Sequence, residues 1–148
     1  MPAINDRSFD ELDASALHDI LKLRVDVFVV EQACAYAELD GRDTEPATRH
    51  IWISRADSAA PATYLRLLDG DRGRRVGRVV THPDHRGQGL AGVLVDHVIS
   101  RYPVDLVLDA QSYLVDWYEA RGFSATGPEF LDDGIPHVPM ARSASLDK

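Results

Sequence analysis

The chain has little from which to build covalent or membrane architecture. It holds a single cysteine, Cys34, which excludes an intramolecular disulfide and fits a reducing compartment. No apolar run approaches the ~20 residues that a membrane-spanning helix needs. Met1 to Phe9 is mixed and polar, with no basic region ahead of an apolar stretch. No signal peptide is read there, and the expected location is the cytoplasm, with no membrane partner. Positive charge is scarce: 16 Lys+Arg face 24 Asp+Glu over 148 residues, a net charge of −8. A duplex-DNA binder needs cations to neutralise phosphates, so nucleic acid is not an expected partner. His82, His85 and His97 lack acids or cysteines at metal-ligand spacing, and no metal is expected.

What remains is ordinary globular material. A hydrophobic share of 45% and a charged share of 27% match a folded chain, and the length fits one domain over residues 1–148. The charge is unevenly spread. Arg66, Arg72, Arg74, Arg75, Arg78 and Arg86 face only Asp69, Asp71 and Asp84, so this stretch carries +3 and the remainder −11. Glu31 to Glu45 holds five acids and one arginine. An acidic chain with one basic island points to an anionic ligand at the island and a cationic one elsewhere. A solvated arginine hairpin is the alternative.

Helical spacing sets Leu17, Ile20, Leu21, Arg24, Val27 and Phe28 on one face, predicting a helix over Ser15–Val30 with Asp13 as N-cap. Arg24 breaks that apolar stripe and is expected to meet a carboxylate or snorkel to water. Tyr36–Pro46 is acidic and carries the turn pair Asp40-Gly41, so it reads as a loop. His50–Ser54, Ala62–Leu68 and Val76–Thr81 read as three strands of a meander, the last stopped by Pro83. A helix is predicted over Gly89–Arg101, with His97 on its face, then a strand over Val104–Ala110. Ser112 is the expected N-cap of a helix through Ala120, closed by Gly122. Strands are expected from Phe123 onward and over His137–Ala141, around a turn at Asp132-Asp133-Gly134. This order predicts an α/β or α+β domain with a mixed sheet.

The strongest chemical signal is the run Val80 to Ala91, VTHPDHRGQGLA. A strand ends, and a short glycine-bearing loop opens a helix. Such a loop turns successive backbone N–H groups toward one point. The helix N-terminus adds partial positive charge, and together they suit a phosphate. Gly87 and Gly89 let the backbone approach a bulky ligand, and Arg86 adds a fixed cation. No Lys-Ser/Thr follows the glycines, so this is not a Walker loop, and the dinucleotide spacing G-x-G-x-x-G is absent. A turn that merely caps a helix is the competing reading.

Arg86-x-x-Gly89-x-Ala91 resembles the R/Q-x-x-G-x-G/A motif of the GNAT N-acetyltransferase superfamily. Gln111 to Phe123 is similar to that family's N-x-x-A-x-x-x-Y-x-x-x-G-F segment, with Gln111 in place of Asn and Leu114 in place of Ala. Leu23-Arg24, Val27 to Gln32, Tyr36, Asp40-Gly41, Asp43 and His50 resemble its ElaA-like branch, as do Asp133 to His137 and Met140. The resemblance implies a GNAT fold: a mixed, mostly antiparallel central sheet with strands four and five splayed, flanked by helices. It also implies acetyl-CoA as cofactor, CoA as product, and direct attack of an amine on the acetyl group.

By that resemblance, Arg86, Gly87, Gln88, Gly89, Leu90 and Ala91 hold the pyrophosphate, and Gln111 and Tyr118 also contact the cofactor. Main-chain N–H groups of Val79, Val80 and Thr81 polarise the thioester carbonyl. Tyr118 is the implied general acid, because a phenol of ordinary pKa ~10 is protonated at neutral pH and can donate to a thiolate. Packing beside Trp117 is its other reading. An alkylammonium must lose a proton before it attacks, and Glu31, His50 and His137 are the candidate bases. Glu31 follows an apolar run, where burial would raise its pKa; a salt bridge to Arg24 or another cation is the alternative. His50 has a hydrogen bond to the acidic loop as its other reading, and His137 an acceptor contact. Acceptor-side candidates are Arg24, Phe28, Gln32, Tyr36, Asp40, Asp43 and Asp133, with Arg24 expected to organise the acidic loop through a carboxylate. The expected acceptor is a small-molecule or peptide amine, cationic in keeping with the acidic balance. A homodimer is compatible with the sequence. The rival readings are a non-catalytic acyl-CoA-binding or regulatory module and an acyltransferase like the acyl-homoserine-lactone synthases. Those synthases lack a full loop of the Arg86–Ala91 type.

Overall fold

In the computed structural model, which describes residues 2–147, the strand Pro61–Leu68 (β3) is buried at every residue. Both of its faces are covered, and alternate side chains divide between two cores. Leu65 and Leu67 pack with Ile51 and Ile53 of β2 (Arg49–Ser54) against Leu94, Val95 and Val98 of α2 (Leu90–Arg101). Tyr64 and Trp52 point the other way and meet Ile20 and Leu23 of α1 (Ala14–Arg24), with Val27 just beyond it. The remaining strands are β1 (Asn5–Arg7), β4 (Arg74–Thr81), β5 (Leu106–Gln111), β6 (Ser124–Ala125), β7 (Phe130–Asp132) and β8 (Ile135–Arg142). The short helix α3 (Val115–Glu119) covers the first core with Tyr118. The sheet order is β1-β2-β3-β4-β5-β8, and β6 and β7 both pair with β8.

Every neighbouring pair is antiparallel except β4 and β5. Those two strands pair only at Arg74–Leu106 and Arg75–Val107. Past Arg75 they diverge, as the expected splaying required. A bulge adds to the divergence. Tyr64 pairs with Val80 and Arg66 with Gly77, so three steps along β4 match two along β3. The extra residue reverses the alternation: Val76 belongs to the core under α2, whereas Val80 belongs to the core under α1. Arg78, inside the bulge, takes the left-handed conformation (φ 52°).

Several sequence expectations are corrected. The first helix is regular only to Arg24, with Asp13 capping it as expected through Ala16 N–H at 2.8 Å. Beyond that, Gln32 N–H donates to Val27 O and Cys34 N–H to Val29 O, spans of five residues that widen the turn over Val25–Glu31. Ser112 does not cap a helix, because its hydroxyl donates to Glu129 Oε1 at 2.6 Å and a tight turn precedes α3. The strand expected from Phe123 splits into β6 and β7. The strand expected from Val104 begins at Leu106. His97 does not join the apolar face of α2, since its Nε2 meets Asp6 Oδ2 at 3.0 Å. Asp6 also accepts from Arg49 and Tyr102, and this network fastens β1, a strand the pattern did not announce.

Gly73 makes the turn into β4 with φ 117°, and a Cβ there would lie 2.3 Å from the Asp105 carbonyl oxygen. Both the angle and the space exclude a side chain. Gly73→Ala is therefore expected to lower the unfolding free energy by about 2–4 kcal/mol in urea titrations. A loss below about 0.5 kcal/mol would show that the turn relaxes freely.

Candidate active site

The diverging strands enclose a cleft of about 530 Å³, within the usual range for small-molecule sites. Val79, Val80 and Thr81 of β4 form one wall and Leu108, Asp109 and Gln111 of β5 the other. The widened helical turn contributes Phe28, Glu31 and Gln32, and the β7–β8 hairpin contributes Asp133, Ile135 and His137. Because β4 has no β5 partner past Arg75, main-chain groups along that edge face the cleft rather than a ladder.

A second cavity of about 220 Å³ lies under the glycine loop, lined by Arg86, Gly87, Gly89, Leu90 and Ala91 together with Val79 and Thr81. Tyr118 borders both cavities. Gln88 is exposed and borders neither. Gly87 (φ 77°) and Gly89 (φ 74°) have left-handed backbones, and open space surrounds the place a Cβ would take. They serve chain direction rather than close packing. Gly89 is the N-cap of α2 and offers no side chain to the first-turn amides. Those amides are the kind of donors that bind phosphate, and the loop thus fits a pyrophosphate-bearing group.

Arg86 is already engaged. Its Nη1 and Nη2 donate to Glu31 Oε2 and Oε1 at 2.7 and 2.9 Å, and its Nε donates to Thr81 O at 3.1 Å. Glu31 is exposed, and the Arg86 hydrogen bonds hold its carboxyl below the ordinary range. The expectation of a buried, raised Glu31 base is corrected: Val30 just before it is exposed too, and the alternative salt bridge forms, to Arg86.

The other two candidate bases separate cleanly. His50 is fully buried, with Nδ1 at 2.7 Å from Tyr64 Oη and Nε2 at 3.0 Å from Asp43 O. Burial depresses its pKa, and both nitrogens are taken, so it cannot serve a substrate in the cleft. His137 borders the cleft. Its Nδ1 lies 2.7 Å from Ile135 O, which can only accept. Nδ1 is therefore the donor, and the neutral ring presents the Nε2 lone pair. Phe130 stacks on this ring at 5.9 Å between centroids. Tyr118 is held edge-on by Trp117 and Phe123 at 4.9 and 5.7 Å. Burial pushes its pKa up to about 12. Tyr118 thus packs in the core beside Trp117 and also borders both cavities.

Comparison with known proteins decides the family. The model for the acetyltransferase (GNAT) domain matches residues 17–144. The chain belongs to the GNAT acetyltransferase family. This acyltransferase is 49% identical over 142 residues to a UPF0039 protein of Mycobacterium tuberculosis, covering 91% of this chain and 89% of that one. It is 34% identical over 145 residues to the protein ElaA of Escherichia coli, covering 93% and 94%. A crystal structure of an acyl-CoA N-acyltransferase from Pseudomonas aeruginosa superposes with a TM-score of 0.90 at 34% identity, over 97% of this chain and 100% of that one. The ElaA-like resemblance and the GNAT fold both stand.

Within this acyltransferase the acidic loop does something the charge count did not foresee. Arg24 is fully buried and donates through Nε to Glu38 Oε2 at 2.6 Å and through Nη1 to Asp43 Oδ1 at 2.6 Å. Arg66 donates to both oxygens of Asp40 at 2.9 and 2.8 Å and to Asp43 at 3.1 Å. Arg78 donates to Glu38 at 2.9 Å, and the Tyr36 hydroxyl bonds to the same carboxylate. Burial by itself would raise Asp40 and Asp43, but Arg66 and Arg24 respectively reverse this and hold both carboxyls low. Arg24 thus organises the acidic loop through carboxylates, as expected, while Asp40 and Asp43 are corrected from acceptor contacts to scaffold; none of the three borders the cleft. Phe28, Gln32, Tyr36 and Asp133 do border it.

Sequence reasoning missed Arg78, which joins the cluster only because the bulge turns it there. Gly77 beside it was the available signal, as glycine inside a strand often marks a bulge. It also missed the Arg75–Asp109 pair at 3.2 Å across the cleft. Among the described residues no helix is long and apolar enough to cross a membrane, and no metal-binding cluster is present.

Proposed function

We propose that this GNAT acetyltransferase moves an acetyl group from acetyl-CoA to the amine of a small-molecule or peptide acceptor in the cytoplasm. The observation that carries the reading is the meeting of two cavities at Tyr118, one under the glycine loop and one between the diverging strands. The first suits a long phosphate-bearing cofactor and the second a separate acceptor. The Pseudomonas aeruginosa relative, an acyl-CoA N-acyltransferase, supports the same assignment.

Arg86, Gly87, Gly89, Leu90 and Ala91 would hold the pyrophosphate, with Gln111 offering an amide farther along the cleft. Bound acetyl-CoA supplies an acyl group activated as a thioester. The free edge of β4 at Val79–Thr81 provides main-chain donors where carbonyl charge develops, a stabilisation that fixed amides give without reorganising. Tyr118 keeps its proton through neutral pH and is the acid of the cleft. His137 Nε2 is the acceptor for the amine's proton. With Glu31 paired and His50 enclosed, His137 is the base that geometry favours.

Thermal unfolding with acetyl-CoA, longer acyl-CoAs and CoA tests the cofactor assignment. Ligand at a hundred times its Kd adds about 2.7 kcal/mol to stability, so melting should rise by several degrees. Arg86→Gln should shrink the rise. No shift with any CoA species would overturn the reading.

A further inference from the structure

The Glu31–Arg86 pair joins two separate elements, the widened turn after α1 and the loop before α2. Both oxygens of Glu31 and both terminal nitrogens of Arg86 are used. On the cofactor reading above, the same guanidinium must also face a pyrophosphate. A guanidinium edge accepts one bidentate anion at a time. Among the described residues Arg86 is Glu31's one ion-pair partner. Both side chains are exposed by more than two-fifths, and an ion pair in water is weak. A doubly charged pyrophosphate with loop amides behind it should displace a single carboxylate.

We propose that Glu31 stands in for the pyrophosphate on Arg86, is displaced when the cofactor binds, and then serves the acceptor as a cation contact on the cleft wall. The other paired acids of this half of the molecule cannot be released this way. Glu38, Asp40 and Asp43 are held by buried arginines, and Asp109 is paired with Arg75, which is outside the glycine loop. Asp132 and Asp133 also border the cleft and have no ion-pair partner among the described residues. Cys34 Sγ, 3.8 Å from Asp133 O, ties the segment after Glu31 to theirs. Freeing Glu31 therefore adds a third unpaired carboxylate to a wall that holds two. The cationic preference of the acceptor site is thereby coupled to the occupancy of the cofactor site, and by linkage each ligand strengthens the other.

Calorimetric titration of CoA, which carries no acyl group and keeps turnover out, tests the exchange. Glu31→Gln should tighten CoA about two- to fivefold, the size of a lost exposed ion pair. In an Arg86→Gln background the same substitution should change CoA affinity by less than about 1.5-fold, because no shared guanidinium remains. Equal tightening in both backgrounds would mean plain repulsion between Glu31 and phosphate and would overturn the exchange. The second limb needs no variant at first: spermidine, as a probe cation, should bind the CoA complex at least about threefold more tightly than the free protein. Glu31→Gln should erase that gain and Glu31→Asp should keep part of it. A gain that persists in Glu31→Gln, or no gain in the wild type, overturns the acceptor role. A wild type that binds no CoA overturns the cofactor reading itself, and this inference with it.

Discussion

Arg24→Met is expected to lower the unfolding free energy by about 3–5 kcal/mol, a large part of the stability of a chain this size. Arg24 is fully buried and supplies four hydrogen bonds, to the Glu38 carboxylate and carbonyl and to both oxygens of Asp43. Methionine fills much of the volume but leaves Glu38 and Asp43 enclosed with one fewer cation. The cost is that of uncompensated buried charge, not of the pair's own net worth. Arg24→Lys should rescue little, because an ammonium cannot span two carboxylates in the guanidinium's fixed directions. Urea titrations at neutral pH measure the loss, and a loss under about 1 kcal/mol would show that Arg66 and Arg78 hold the cluster without Arg24. The sign with pH is also set. Asp40 and Asp43 are depressed in the folded protein, so their contribution is full above the unfolded value of ~3.9 and fades as pH falls through the lower folded values. Wild-type stability should therefore drop below about pH 4, and the gap to Arg24→Met should narrow there.

Tyr118→Phe should slow acyl transfer about a hundredfold while changing CoA affinity less than about threefold. The phenyl ring keeps its edge-on contacts with Trp117 and Phe123, so the fold and the cavity walls survive. Only the hydroxyl is removed. Stopped-flow detection of free CoA across an amine panel, with melting curves as control, is the measurement. An unchanged rate would remove the acid from Tyr118. In the same assay at neutral pH His137→Gln should slow turnover at least about tenfold. A rate that survives in His137→Gln would transfer the base to another group.

The legible and the hidden parts of this protein divide along a physical line. Local chain chemistry was readable wherever one segment decided it. The loop Arg86–Ala91, the cap at Asp13 and the short strand run of β2 depend on neighbours a few residues apart. Tyr118 was placed by its spacing to Gly122-Phe123, and the structure puts it beside both cavities. The strand β1 was hidden because three polar edge residues carry no alternation, and it is the pairing with β2 and Asp6's partners on β2 and α2 that fix them. The widened turn at Val25–Glu31 was hidden too, because the apolar residues there satisfy either period.

Charge was the least legible property. The sequence by itself determined that one stretch is basic, that Glu31 to Glu45 is acidic, and that a glycine loop opens α2. Those follow from residue order alone. Only the tertiary structure decided where the charges go. Folding brings Arg66 and Arg78 of the basic stretch onto Asp40, Asp43 and Glu38 of the acidic one, 23 to 40 positions apart in the chain. It also puts Glu31 on Arg86 across 55 positions. Opposite charges leaving water must meet partners, and which partners meet is set by strand order and by one bulge in β4. Three of the five acids in the stretch that suggested a cationic acceptor, Glu38, Asp40 and Asp43, are held inside the scaffold by arginines. What is left to recognise one is Asp132, Asp133 and the carboxylate that Arg86 can release.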